Sequence, residues 1–233
     1  MTDLDGNGGI ADVLAQRVRQ YAANRLALFE WIHEDWLRGD WRAALREAAK
    51  QDGSEQARQR HLRAVDTCLR GFGLAPPPLD AFRGDEGVLA ALPMDGLLRA
   101  LRLRALHFRR AELRYWIDRG SRARLSAWLG SEASGVLRWL MNMPHPPQLD
   151  RLMRVAGMPP LDELDDEALA WEGFSLCLRA GWCGPRAPLS LARLAWRPGL
   201  APPDWTDDAG AAAGISDGVA VVRRLPEFFE ERA

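Results

Sequence analysis

The run Asp3-Leu4-Asp5-Gly6-Asn7-Gly8-Gly9-Ile10 sets oxygen donors at alternate positions ahead of a glycine and an apolar residue, as an EF-hand calcium loop does. That loop closes its oxygen cage with a bidentate glutamate at its twelfth position, and here that position is Leu14. Calcium is not expected, and residues 1–9 read as a flexible, Gly-rich N-terminus. Zinc needs clustered thiolates and imidazoles. Cys68, Cys177 and Cys183 lie apart, and His33, His61, His107 and His145 are scattered singly. The triplet His33-Glu34-Asp35 sits between Trp31 and Trp36 at the end of an amphipathic pattern. The acids of Asp162-Glu163-Leu164-Asp165-Asp166-Glu167 suit the first turn of a helix, where negative charge meets the helix dipole. There is no nucleophile elbow, phosphate-binding loop or dinucleotide fingerprint. The reading is a protein that is not an enzyme, with no catalytic, cofactor-binding or metal residues and no cofactor.

Arginine is the residue type with the most chemistry to offer. Residues 99–124 hold nine arginines against Glu112 and Asp118, a local charge of +7. Residues 150–172 hold seven acids against Arg151 and Arg154, a local charge of −5. Such a bipolar chain suits docking between partners. Arg109, Arg110 and Arg114 are the candidate partner interface, since a guanidinium pairs with carboxylates in a defined orientation. The alternative is a nucleic-acid-associated regulator using the same 99–124 face. A net charge of −1 and the lack of a recognised binding motif count against nucleic acid. Ten tryptophans are many for this length. Most fall on helical stripes, while Trp36, Trp41 or Trp205 could serve as exposed anchors.

These residues need elements to hold them. Leu14, Val18, Tyr21, Leu28, Phe29, Ile32 and Trp36 recur at steps of three and four, which predicts a helix from Ile10 to Gly39. A short helix follows over 40–50, then one capped by Ser54 and carrying Leu62, Val65, Cys68 and Leu69. Gly71, Gly73 and Pro76-Pro77-Pro78 close it, and 74–87 reads as a linker. After Pro93 comes the strongest stripe, Leu97, Leu98, Leu101, Ala105, Leu106, Leu113, Trp116 and Ile117, with Arg99, Arg102, Arg109, Arg110 and Arg114 on the other face. Two shorter helices, capped by Ser121 and Ser131, precede a Pro144–Pro147 break. One brief helix spans 148–156, and another runs from about Asp165 to Ala180. Residues 198–214 look like a flexible loop, and Val219-Ala220-Val221-Val222 could form a short strand or hairpin. The class is mainly α, an irregular multi-helix bundle. Its organisation is a helical domain over 10–197, with an internal boundary available at 74–87, and a loop-rich segment over 198–233.

Apolar residues at 47% and charged residues at 27% are ordinary for a globular chain. Three cysteines make no disulfide framework, which points to a reducing compartment. Neither a secretory leader nor an apolar run of roughly 20 residues is seen. A cytoplasmic protein with no direct membrane insertion is expected.

The stretch Leu101-Arg102-Leu103-Arg104-Ala105-Leu106-His107-Phe108-Arg109-Arg110-Ala111-Glu112-Leu113-Arg114-Tyr115-Trp116-Ile117-Asp118 resembles the central segment of the SctK family, as does its continuation to Trp128-Leu129-Gly130. These are accessory proteins of bacterial type III secretion, and the likeness is greatest to the Hrp branch of plant pathogens. Met158-Pro159-Pro160-Leu161, Asp166-Glu167-Ala168-Leu169-Ala170-Trp171-Glu172-Gly173 and Leu28-Phe29-Glu30-Trp31-Ile32-His33 with Asp35-Trp36-Leu37 are similar to it too. The resemblance spans about residues 15–197. It implies a cytosolic scaffold of the sorting platform, peripheral to the inner membrane through protein contacts. Its implied partners are the forkhead-associated cytoplasmic domain of the inner-membrane ring protein and the pod protein, with the linker and ATPase beyond. It supplies no catalytic or cofactor residue, and the segment after Pro198 matches no pattern.

Overall fold

Leu14, Val18 and Tyr21 put an apolar seam along helix α1 (Asp5–Leu26), which continues through the short α2 (Leu28–Trp31). The computed structural model describes residues 5–37, 43, 55–130, 133–143, 149–216, 218, 221, 222 and 224. Where a loose lead-in is expected over 1–9, α1 begins at Asp5. The expected helix at 40–50 lies outside the described residues except for the helical Ala43, and the caps Ser54 and Ser131 lie outside them too.

The chain divides into two compact units: residues 1–94 with 183–200, and residues 95–182 with 201–233. In the first, the seam of α1 and α2 packs against Val65 and Leu69 of α3 (Glu55–Gly71). Phe82, Ala90 of α4 (Asp85–Ala90), and Leu191 and Leu194 of the 3-10 run Pro188–Ala195 complete that core. Polar ties set its edges. Asn24 donates to the Leu92 carbonyl at 2.8 Å, Trp36 Nε1 donates to the Trp196 carbonyl at 2.6 Å, and Arg25 pairs with Asp66.

The second unit is built on α5 (Met94–Phe108) and α9 (Asp166–Arg179). Leu97, Ala100, Leu101, Leu103, Ala105 and Leu106 of α5 are all buried. Every residue of α9 from Leu169 to Cys177 is buried, so this helix is enclosed by its neighbours rather than amphipathic. Asp165 caps it by accepting from the Ala168 amide at 2.7 Å. Gly173 faces the Leu101 backbone so closely that a Cβ would overlap the Leu101 carbonyl oxygen. Around this pair lie α6 (Arg119–Leu129), α7 (Ala133–Met141), α8 (Leu149–Val155) and α10 (Ala212–Ser216).

Two expectations change here. Among the described residues there is no strand, and Gly218, Val221 and Val222 are helical, so the proposed strand is not formed where it can be seen. The Pro- and Gly-rich segment after 198 carries 3-10 turns at Asp204–Asp207 and Ala209–Ala211. Trp205 is 2% exposed and packs on Phe108 at 5.3 Å between ring centroids, which anchors the segment.

Candidate docking groove

The sequence predicts one helix through residue 117, yet α5 stops at Phe108 and the chain tightens into a 3-10 turn at Glu112–Tyr115. The cause is a buried polar centre. Arg109 is fully buried and donates from Nε and Nη2 to both carboxylate oxygens of Glu172, at 2.6 and 2.7 Å. Its Nη1 donates to Glu112 Oε1 and to the Pro159 carbonyl, each at 2.8 Å. The other oxygen of Glu112 accepts from the Leu161 amide at 2.7 Å. One guanidinium thus joins the end of α5, the 3-10 turn, the 159–161 segment and the middle of α9. Burial raises the Glu172 carboxyl above its usual range, an effect that the Arg109 guanidinium offsets only in part. The two parallel N–H···O bonds favour the charged form of each group.

With that turn fixed, Leu113, Trp116 and Ile117 form one wall of a groove of about 460 Å³. Arg122, Leu125 and Ser126 of α6 form the second wall, and Leu137, Arg138 and Met141 of α7 the third. Asp118 caps α6 by accepting from the Ser121 amide at 3.0 Å, which sets the direction in which that helix leaves the turn. Trp116 is braced from behind. It packs on Trp128 at 5.5 Å, and the Arg124 guanidinium lies over both rings, 5.7 Å from Trp116 and 4.9 Å from Trp128. Arg124 also donates to the carbonyls of Asp162 and Leu164, which ties α6 to the segment leading into α9. The floor is apolar and arginines stand at the rim, an arrangement suited to gripping a partner's side chains. Among the described residues, no group of three or more His, Cys, Asp or Glu could hold a metal ion.

A family model described as bacterial type III secretion protein (HrpB4) matches residues 10–231. The chain belongs to this family. The match agrees with the Hrp-branch resemblance carried by residues 101–118, and it makes the protein a component of bacterial type III secretion. No curated protein and no solved structure matches the chain.

In this HrpB4-family chain the candidate interface Arg109, Arg110 and Arg114 does not form a common surface. Arg109 and Arg110 are 0% and 2% exposed, and only Arg114 reaches solvent. The correction follows from the break at Phe108. A continuous helix would have carried the three outward on one face, whereas the turn sends Arg109 to Glu172 and lays Arg110 on the His107 carbonyl at 2.7 Å. Arg104 is buried as well and donates to the carbonyls of Gly214 and Ile215 at 3.0 and 2.8 Å. The arginines left at the surface of this stretch are Arg114, Arg119 and Arg122. Of the proposed tryptophan anchors, Trp205 is buried, Trp36 is half-buried on Trp196, and Trp41 lies outside the described residues. His33 accepts from the Asp35 amide at 3.2 Å and so caps a 3-10 turn in the HrpB4-family fold, a structural duty. The groove has no signature of its own in the sequence, because Leu137, Met141 and Ile117 continue helical stripes that predict a core.

Proposed function

We propose that the protein is a non-catalytic cytoplasmic adaptor of a bacterial type III secretion system. It links the forkhead-associated domain of the inner-membrane ring protein to the pod protein of the sorting platform, with the linker and ATPase beyond. The observation that carries this reading is the family match over residues 10–231. The apolar groove with its arginine rim supports it, since exposed apolar surface edged by polar groups is the usual mark of a protein-binding site. Among the described residues no helix is long and apolar enough to cross a membrane, in keeping with attachment to the inner membrane through protein contacts. The nucleic-acid alternative loses ground because Arg104, Arg109 and Arg110 are buried, out of reach of a phosphate backbone.

A pull-down of the tagged full-length protein from cells that assemble the apparatus, with partners identified by mass spectrometry, tests the proposal. Recovery of the pod protein or the ring's cytoplasmic domain supports it. Recovery of nucleic acid, or of no secretion component, overturns it.

A further inference from the structure

We infer that the groove between the Glu112–Tyr115 turn, α6 and α7 receives an amphipathic helix with acidic flanks from a partner protein. The inference rests on the adaptor reading only in expecting a protein partner. Three observations carry it.

First, α7 bears more apolar side chains than its packing uses. Ala133, Val136 and Leu140 are buried along one stripe, while Leu137 and Met141 lie on another and line the groove. Met141 is 41% exposed, and Ile117 on the opposite wall is 68% exposed. Large apolar groups left at the rim of a concave surface gain only when something covers them.

Second, two of the three walls are α-helices that present three- and four-residue spacing to the groove: Arg122 with Leu125 and Ser126 on α6, and Leu137 and Arg138 with Met141 on α7. Ridges at three- and four-residue spacing accept the matching ridges of another helix. None of the described residues there forms a sheet edge, so an added strand would find no backbone partners among them.

Third, the charge is one-sided. Arg122 and Arg138 line the groove, and Arg119 stands one turn before Arg122 on the same face of α6. All three are exposed, and among the described residues none has an ion pair or side-chain hydrogen bond. No described carboxylate lines the groove. An apolar floor under free guanidiniums selects an apolar stripe flanked by Glu or Asp. Nucleic acid fits poorly, because its phosphates would meet Leu125, Leu137 and Met141 along with the arginines.

The test places a benzoylphenylalanine photocrosslinker at Met141, and separately at Ile117, in the full-length protein in cells that assemble the secretion apparatus. Val155 of α8, 72% exposed, takes the crosslinker as control. The expected adducts at both groove positions map to one segment of another protein, with apolar residues at helical spacing and flanking acids. The Arg122→Glu/Arg138→Glu variant should cut their yield at least tenfold with an unchanged far-UV circular dichroism spectrum. Met141→Asp, tested with the crosslinker at Ile117, should do the same. The inference is overturned by adducts that map to a second copy of this chain, to its own residues 225–233, or to basic or aperiodic segments. Yields no higher than at Val155, or insensitive to charge reversal, overturn it too. If the acidic helix belongs to a protein outside the secretion platform, the groove inference stands and the adaptor reading falls. If the pull-down recovers the platform but the crosslinks find no such helix, the reverse holds.

Discussion

Arg109 and Glu172 meet in a bidentate pair at 2.6 and 2.7 Å across 63 residues of sequence, with both side chains withdrawn from water. Desolvating two charges costs several kcal/mol, which their attraction repays only in such geometry, so removing one partner strands the other. Arg109→Leu or Glu172→Leu alone should each lower unfolding free energy by about 3–5 kcal/mol in urea titrations. The double variant should recover much of that loss. Singles costing under about 1 kcal/mol would show that the pair does not hold the Glu112–Tyr115 turn in place.

Acid should weaken the fold through His107. The ring is fully buried and stacks on Trp139, and among the described residues neither nitrogen has a hydrogen-bond partner. Burial, followed by the charges of Arg104 and Arg110, lowers its pKa from 6.5 to about 3. Between those values the unfolded chain takes up a proton that the native state refuses. Stability should therefore be intact above pH 6.5 and fall by up to about 1.4 kcal/mol per pH unit as the pH drops toward 3. His107→Leu should flatten that part of the curve relative to the parent, as read by denaturation at stepped pH.

Gly173→Ala should destabilise, against the usual trend. Within a helix that exchange ordinarily gains about 0.5–1 kcal/mol. Here the new Cβ would overlap the Leu101 carbonyl, a backbone group that cannot step aside alone. A net loss of about 1–3 kcal/mol is expected from overpacking, seen as a lower thermal midpoint. A neutral or raised midpoint would mean that α5 and α9 separate more easily than their packing indicates.

The three arginines of the candidate interface should behave as two kinds. Arg114→Glu should leave the helical signal and thermal midpoint unchanged, within about 0.5 kcal/mol, as for a surface exchange. Arg109→Glu should unfold the second unit or cripple its expression, because it sets a carboxylate against Glu172 and Glu112. Arg110→Glu should also destabilise, since its side chain is buried. Equal tolerance at all three positions would restore the exposed-face reading.

Much of the helical framework was legible because one-sided burial leaves a 3.6-residue stripe, as in α1 and α3. Asp165 announced the start of α9 by its residue type. The end of α5 was hidden, because Leu113, Trp116 and Ile117 keep the helical period across a break made by a bond to a residue 63 positions away. Buried arginines were hidden for a related reason: charge reads as surface. One signal was available. Glu172 stands alone inside the apolar run Leu169–Cys177, and a carboxylate enclosed there demands a cation from elsewhere in the chain. Trp205 was masked by its Pro- and Asp-rich surroundings, which look like a loop although its ring fills a core beside Phe108 and Met158.

The first unit takes Leu191 and Leu194 into a core otherwise built from residues 21–90. On the ribosome, that core stays open after its N-terminal helices have emerged. About 100 further residues must be made first, roughly 5–20 s at ordinary elongation rates. Tyr21, Leu28 and Phe82 are without their last apolar cover throughout that interval. A nascent chain in this state is a client for holding chaperones. A premature stop between residues 95 and 182 would release a fragment whose first unit can never close.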